Sequence, residues 1–481
     1  MSSLWRETSK SEPRERLQGE IKTDTAVIGA GLCGILTAYE LTRRGIDCVV
    51  LEADRIGSGV TGDTTAKITA QHGLIYGRLI SQFGKEQAAQ YAAANSLAIG
   101  RYRRIIESNS IDCDFSEQPN YVYTLEDTEK IENEVKAAKD LEIDAEYVAE
   151  TTLPFPVKAA VRFNNQASFH PLKFLYSLAE NLTVYENTRV VNVEDHTVTT
   201  DSGSVEAQKV VFACHYPFIN VPGYYFLRMH QQRSYVIALE GADLVDGMYR
   251  DENSDGLSLR NYNNFLIFSK GDHRTGKNEK GGFYRTLEEK AAELYPGCRV
   301  AYRWSAQDAQ SEDMVPYIGK YSATTPDWFV ATGFNKWGMT TSMVSSVILS
   351  DMIEGRFSPY SEVFSPQRFK PAAGAMKFAQ DVKEAAVNLF KQGFTLPDAK
   401  LNDVQPNEAR IVEHEEAKVG VYKDPGGNVH MINTRCSHLG CQLAWNADDL
   451  AWECPCHGSR FDIEGKVLNG PAIKDVSITE N

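Results

Sequence analysis

The apolar positions of this chain fall into segments of different period, and the period changes where the elements change. Residues 25–28 form a short apolar run of strand type. Leu32, Ile35, Leu36, Tyr39 and Leu41 then recur at helical spacing until Gly45, and residues 47–51 form a second apolar strand that ends on Glu52. Strand, helix and strand in that order predict a βαβ unit and hence a parallel sheet. Residues 329–353 read as a strand, a glycine turn and a helix. From 355 to 374 several prolines and little periodicity predict a linker, after which Phe378, Val382, Ala385 and Leu389 share one helical face before Gly393. Packing between domains suits that helix better than membrane anchoring, because Asp381 and Glu384 sit among the lysines of its polar face. From about Asn402 the pattern shortens to brief strands around the turn Asp424-Pro425-Gly426-Gly427.

Length and charge narrow the function classes. The 481 residues leave room for two or three domains. A net charge of -15 argues against nucleic acid, which wants an excess of Lys and Arg, and against docking on an anionic membrane surface. The N-terminal stretch lacks the apolar run of a signal peptide, and no window is apolar and long enough to span a bilayer. The expectation is a cytoplasmic protein with no integral membrane segment and no nucleic-acid partner. Cys33, Cys48, Cys113, Cys214 and Cys298 are scattered singly, as buried small hydrophobes are.

The turn between the first strand and helix carries Gly29, Gly31 and Gly34 as G-x-G-x-x-G. The first glycine allows the tight turn, the second lets a pyrophosphate approach the backbone, and the third lets helix and strand pack closely. The helix N-terminus offers an anion site, and Glu52 stands where a carboxylate binds the ribose hydroxyls of a dinucleotide. No second fingerprint appears, which argues against an additional nicotinamide site.

The other concentration of chemistry lies in residues 435–461, which hold four of the nine cysteines and two of the ten histidines. Cys436-x-His438 is followed fifteen residues later by Cys454-x-x-His457. Two thiolates and two imidazoles suit a [2Fe–2S] centre with mixed ligation, and they also suit zinc.

These segments resemble two known families. The loop from Ala53 to Gly73, with its small residues, resembles the glycine oxidase/D-amino-acid oxidase superfamily of FAD enzymes, where it continues the grip on the pyrophosphate and crosses the flavin. Residues 188–194, 209–217, 310–320 and 329–353 are similar to further segments of that superfamily. The resemblance implies FAD as cofactor, held by Gly29, Gly31, Gly34, Glu52, Gly59, Thr61, Thr64, Thr65, Val190, Gly333, Gly338, Met339 and Thr340. "CSHLGC" and "CPCHGSRF" resemble the two loops of Rieske proteins. That implies a Rieske [2Fe-2S] cluster on Cys436, His438, Cys454 and His457, with a disulfide between Cys441 and Cys456. Ser459 stands where a hydroxyl donates towards the cluster. Phe461 stands where high-potential Rieske proteins carry a tyrosine, which implies a lower potential here.

The implied architecture is an α/β, Rossmann-like FAD domain interleaved with a mixed-sheet substrate domain, plus a small all-β Rieske domain. Its expected bounds are 1–355 for the oxidoreductase, with FAD-binding parts near 22–86, 182–222 and 304–355 and substrate parts near 87–181 and 223–303. A linker with the amphipathic helix covers 356–400, and the Rieske domain 401–481. The resemblance further implies a dehydrogenase that takes a hydride from an amine or amino-acid-like small molecule. Electrons would leave through the cluster to an external protein or the quinone pool. The alternative is a flavin reductase or oxidase in which the Rieske domain delivers electrons inward or is only structural or regulatory. A Rieske oxygenase is disfavoured, since no 2-His-1-carboxylate set is evident. Lys67 and His72 lie where the superfamily places residues over the flavin and are the catalytic candidates. Arg233, Tyr235, Arg260, Tyr262, His273 and Arg274 are candidates for the substrate roof, and an arginine there would clamp a carboxylate. Trp304 and Trp337 are candidate pocket walls, and His170 reads as a residue that starts a helix.

Overall fold

The computed structural model describes residues 2–368 and 399–478. The predicted βαβ unit forms the strand Gly19–Ile28, the helix Leu32–Arg43 and the strand Cys48–Leu51. The strand begins earlier than its apolar run because its first half pairs in register with the strand Gly203–Phe212 while its side chains face water. These strands are the centre of an eight-stranded sheet, flanked by Thr325–Thr332 and Tyr317–Ser322 on one side and Thr183–Tyr185 on the other. Pairing from Thr325–Thr332 across to Thr183–Tyr185 is parallel throughout. The helices Leu32–Arg43 and Gly338–Glu354 pack on each other against this sheet, so both present their N-termini near the ends of its central strands.

A second sheet of nine strands is mixed: Met248–Asp251 runs parallel to Ser116–Thr124, and its other pairings are antiparallel. Its apolar side under the helix Phe283–Leu294 packs Tyr235, Ile237, Leu259 and Phe268. The strand Arg299–Ser311 pairs with Met229–Glu240 along its whole length. The boundary expected at 304 therefore falls inside a strand of this sheet. The helix Lys85–Ser108 likewise runs across the boundary expected at 86, and Pro171–Ala179 already packs on Leu32–Arg43 before 182.

Sheets of three and four short strands form the C-terminal unit. The first pairs Glu408–His414, Ala417–Lys423 and Val429–Asn433, with the expected Asp424 turn between its last two strands. The second runs Ala444–Asn446, Ala451–Glu453, Arg460–Phe461, Val467–Asn469. The amphipathic helix expected around Phe378–Leu389 lies outside the described residues.

The N-terminal residues Leu4–Thr8 form a short helix whose Leu4 and Trp5 are fully buried. Trp5 Nε1 donates to Thr64 O at 2.7 Å, and Arg6 reaches Gly59 O at 3.2 Å and Asp63 at 3.0 Å. The glycine loop at 59–64 is thus shaped by a segment far from it in sequence.

Candidate functional site

The first site is a cleft of about 500 Å³ at the ends of the central parallel strands, within the size range of cofactor pockets. Gly29 holds φ +104°, and a Cβ there would stand 2.7 Å from Ala213 O. A Cβ on Gly34 would stand 1.9 Å from Gly29 O, so the helix packs on its own strand turn only because residue 34 is glycine. Gly31 lies open to the cleft except for Thr61 Oγ1, which accepts from Leu32 N at 3.0 Å. The N-cap residue of the helix, Gly31, has no side chain to cap with, so beyond Leu32 N the first-turn N–H groups are left for an anion. Glu52 accepts from Ala30 N at 2.7 Å and Asp54 N at 3.0 Å. Burial pushes its carboxyl above the ordinary range, and those two N–H groups oppose the rise.

Gly29, Gly31, Glu52, Gly59, Thr61, Thr64, Val190, Gly338 and Met339 all line the cleft. Gly34 lies beneath it. Thr65, Gly333 and Thr340 do not line it: Thr65 O accepts from Arg260, Gly333 makes the turn at φ +69°, and Thr340 Oγ1 bonds Thr69 O at 3.0 Å. Gly338 and Met339, at the uncapped N-terminus of Gly338–Glu354, line the same cleft as Glu52. These residues fit an FAD cofactor: the glycines would hold its pyrophosphate and Glu52 its ribose.

Lys67 and His72 are absent from this lining. Lys67 pairs at the edge of the nine-stranded sheet, and its Nζ donates to Tyr249 O at 2.8 Å and Ser258 Oγ at 2.5 Å. Burial, with Arg250 and Arg260 close by, lowers its pKa well below the usual lysine value. His72 bonds Tyr91 OH at 2.6 Å and Thr69 O at 2.9 Å and stacks on Trp337. Burial pushes it down to about 3, so it stays neutral.

Among the roof candidates the arginines are already committed. Arg233 is fully buried against Asp449 and Ser305. Arg260 donates to backbone carbonyls of Thr65, Asn261 and Phe169. Arg274 donates to Pro455 O and Cys456 O. Tyr235 OH and His273 Nε2 bond each other at 3.0 Å, and Tyr262 OH donates to Asp114 at 2.8 Å. Trp304 Nε1 donates to Asp63 O at 3.1 Å, and His170 caps its helix by accepting from Lys173 N. The residue that sequence reasoning passed over is Arg250. It makes no hydrogen bond or ion pair with the described residues and lies over the Trp337 ring at 5.4 Å. Burial lowers its pKa, against the pull of Asp272 and Asp308.

In the C-terminal unit Cys436 and Cys454 are buried free thiols, and Cys441 and Cys456 are disulfide-bonded. The sulfurs of Cys441, Cys454 and Cys456 lie within 4.8 Å of one another, but the disulfide removes two of them from any ligand set. Cys454 donates to Cys436 Sγ, which draws the Cys436 thiol down to about 7 and pushes Cys454 well above its usual value. The rings of His438 and His457 are 5.0 Å apart. His438 Nε2 bonds Asn220 Oδ1 at 2.7 Å, while its Nδ1 is buried with no hydrogen bond. An orphaned buried nitrogen is costly unless it binds something, and a neutral imidazole nitrogen is suited to ligating a metal. Burial pushes His438 down to about 4, the neutral form that a ligand requires. Ser459 donates to Cys436 Sγ and accepts from Ala472 N at 3.0 Å. The donor set of Cys436, His438, Cys454 and His457 fits a Rieske cluster.

The two sites share a wall. Residues 467–473 of the C-terminal unit line the flavin cleft, and His438 and His457 pack on Phe226 of the oxidoreductase part. Gln231 Nε2 donates to His457 O and to Gly470 O, and its Oε1 bonds His215 Nε2 on the cleft wall. Beneath this contact Arg233 pairs with Asp449 and Glu453 across the same interface, and Arg460 pairs with both carboxylates from within the C-terminal unit.

Comparison with known proteins gives a family for each of the two parts of the chain. The family described as FAD dependent oxidoreductase matches residues 24–352, and the Rieske [2Fe-2S] domain matches residues 395–480. The Bacillus subtilis (strain 168) protein YhfW, named for a Rieske 2Fe-2S iron-sulfur centre, is 35% identical over 98% of this chain and 96% of its own. Glycine oxidase from Geobacillus kaustophilus superposes with a TM-score of 0.62 at 17% identity, covering 73% of this chain and 99% of that one. L-proline dehydrogenase from P. horikoshii gives 0.61 at 18%, covering 73% and 98%. At such identities these two likenesses concern the fold alone.

Proposed function

The chain belongs to the family of FAD dependent oxidoreductases and ends in a Rieske [2Fe-2S] domain, and from that premise we propose that it is a dehydrogenase of amine or amino-acid-like substrates that sends electrons outward through the cluster. When bound, the flavin accepts a hydride and the cluster carries single electrons. The observation that carries the reading is the shared wall: His215 on the flavin cleft, Gln231 and the His457 carbonyl form one hydrogen-bonded series. A cluster serving only as a structural element would have no need of that placement.

Arg250 supports an anionic substrate group. Lys67, Arg250 and Arg260 bring three basic side chains, Arg260 buried and the other two partly buried, to one region of the nine-stranded sheet, and among the described residues none has a carboxylate within ion-pair distance. Burying unpaired cations is unfavourable, so the arrangement favours a ligand that brings negative charge. Arg260 and Lys67 fix the backbone through their hydrogen bonds, and Arg250 keeps its guanidinium for a carboxylate beside Trp337. Trp337 directly precedes Gly338 and Met339 of the cleft, so an acid held there would have its α-carbon near the ring end of the flavin space.

An anaerobic screen of amines and amino acids with a one-electron dye as acceptor tests the reading. A substrate should sustain dye reduction in the native chain and lose most of it in His457→Ala, which removes a cluster ligand and leaves the flavin cleft. Equal dye reduction by both proteins contradicts the outward route.

A further inference from the structure

The cluster loop lies against three strands of the nine-stranded sheet, and four successive carbonyls of that loop accept hydrogen bonds from its side chains. Arg274 Nε donates to Pro455 O at 3.1 Å and its terminal nitrogen to Cys456 O at 3.2 Å. Gln231 donates to His457 O at 2.7 Å, and Gln307 to Gly458 O at 2.8 Å. On the opposite side of the first two peptide groups, the N–H groups of Cys456 and His457 donate to Cys454 Sγ.

A carbonyl and the N–H that follows it are two ends of one dipole. A donor at the carbonyl end polarises the group and strengthens its N–H as a donor, so hydrogen bonds in series reinforce one another. The effect is larger when the first donor is a cation. Arg274 occupies that place for both peptides that donate to Cys454.

We propose that Arg274, a residue of the oxidoreductase part, is a positioning residue that raises the reduction potential of the Rieske cluster through the two peptides that donate to Cys454. Reduction adds one electron to the cluster with no bond made or broken, and the added negative charge spreads onto its sulfurs. Stronger donors to Cys454 Sγ and a fixed positive charge behind them stabilise the reduced form. The cluster's potential is then set by the docking of two domains and not by the Rieske fold alone.

The test is a mediated redox titration of the intact holoprotein, followed by the low-temperature EPR signal of the reduced cluster, with iron and FAD content measured in parallel. Arg274→Gln should lower the ratio of reduced to oxidised cluster at a fixed ambient potential by on the order of tenfold, which is 59 mV for a one-electron couple. Arg274→Lys keeps the charge and one bond, so it should show a smaller fall. Gln307→Leu removes a neutral donor from a carbonyl whose peptide does not serve Cys454, and it should shift least. A wild-type midpoint in either Arg274 variant with iron retained overturns the proposal. So do equal shifts in Arg274→Gln and Gln307→Leu, the pattern of a merely structural contact. If Arg274→Gln loses its iron, Arg274→Lys decides the matter. Absence of the Rieske signal in the native protein would instead contradict the assignment of the cluster itself.

Discussion

Gln231 Nε2 lies 2.7 Å from the carbonyl oxygen of His457, while Gln231 Oε1 lies 3.2 Å from His215 Nε2 on the wall of the flavin cleft. One amide side chain therefore touches a cluster-ligand residue and the cofactor cleft together. Gln231→Leu keeps much of the volume and removes both bonds. FAD and iron content should be unchanged, and the rate at which the cluster is reduced after the flavin should fall severalfold in stopped-flow mixing. An unchanged rate would exclude this path.

Arg250 stands free beside Trp337 where the other roof arginines are held by protein groups. Arg250→Leu should lower kcat/KM for a carboxylate-bearing substrate by on the order of tenfold to a hundredfold, the worth of one charged hydrogen bond. The loss should fall mainly on KM. A neutral amine without the carboxylate should be nearly unaffected, and steady-state kinetics on such a pair distinguish charge recognition from general damage.

Asp449 pairs with Arg233 across the domain interface and with Arg460 of its own unit, with side-chain exposures of 9%, 2% and 11%. Asp449→Ala leaves buried arginines short of a partner and should cost about 3–5 kcal/mol in denaturant unfolding. Burial raises the Asp449 carboxyl, but Arg233 and Arg460 bring it below its ordinary range. A carboxyl lower in the folded than in the unfolded chain contributes stability that is full above about pH 4 and lost as the pH falls further. The native protein should therefore lose this contribution in that acid range, and Asp449→Ala should show a shallower dependence there.

Phe461 is fully buried in the apolar cluster that also holds Cys436, Cys441, Cys454 and Cys456. Phe461→Tyr adds a hydroxyl donor near the cluster sulfurs and should raise the cluster midpoint in a redox titration. A fall or no change would mean that the ring's far edge points elsewhere.

The parts legible in the sequence are those whose chemistry is local. Gly29, Gly31, Gly34 and Glu52 lie within one βαβ unit, and Cys436, His438, Cys454 and His457 lie within two short loops, where spacing proposes a metal centre and resemblance to the Rieske loops implies which one. The interface was not legible. Gln231, Arg274 and Gln307 come from three strands, and they converge on residues 455–458 only through sheet register. Trp5 and Arg6 shape the loop at 59–64 across a separation that no periodicity reveals. Lys67 and His72 follow that loop directly, yet Lys67 joins the sheet edge opposite Ser168 and His72 turns into the core, so nearness in sequence did not bring them to the cleft. The strand Arg299–Ser311 begins with solvent-facing Arg299 and ends fully buried, which hid its continuity.

Passage of electrons from the flavin cleft to the cluster is open to rapid anaerobic mixing with a reducing substrate, followed at both centres. Flavin absorbance should fall first and the Rieske EPR signal should then appear, with only the first step surviving in His438→Ala. If the flavin is reduced while the cluster stays oxidised for minutes, and oxygen admitted afterwards is consumed in proportion to the substrate, the outward route is contradicted and the protein works as a plain oxidase.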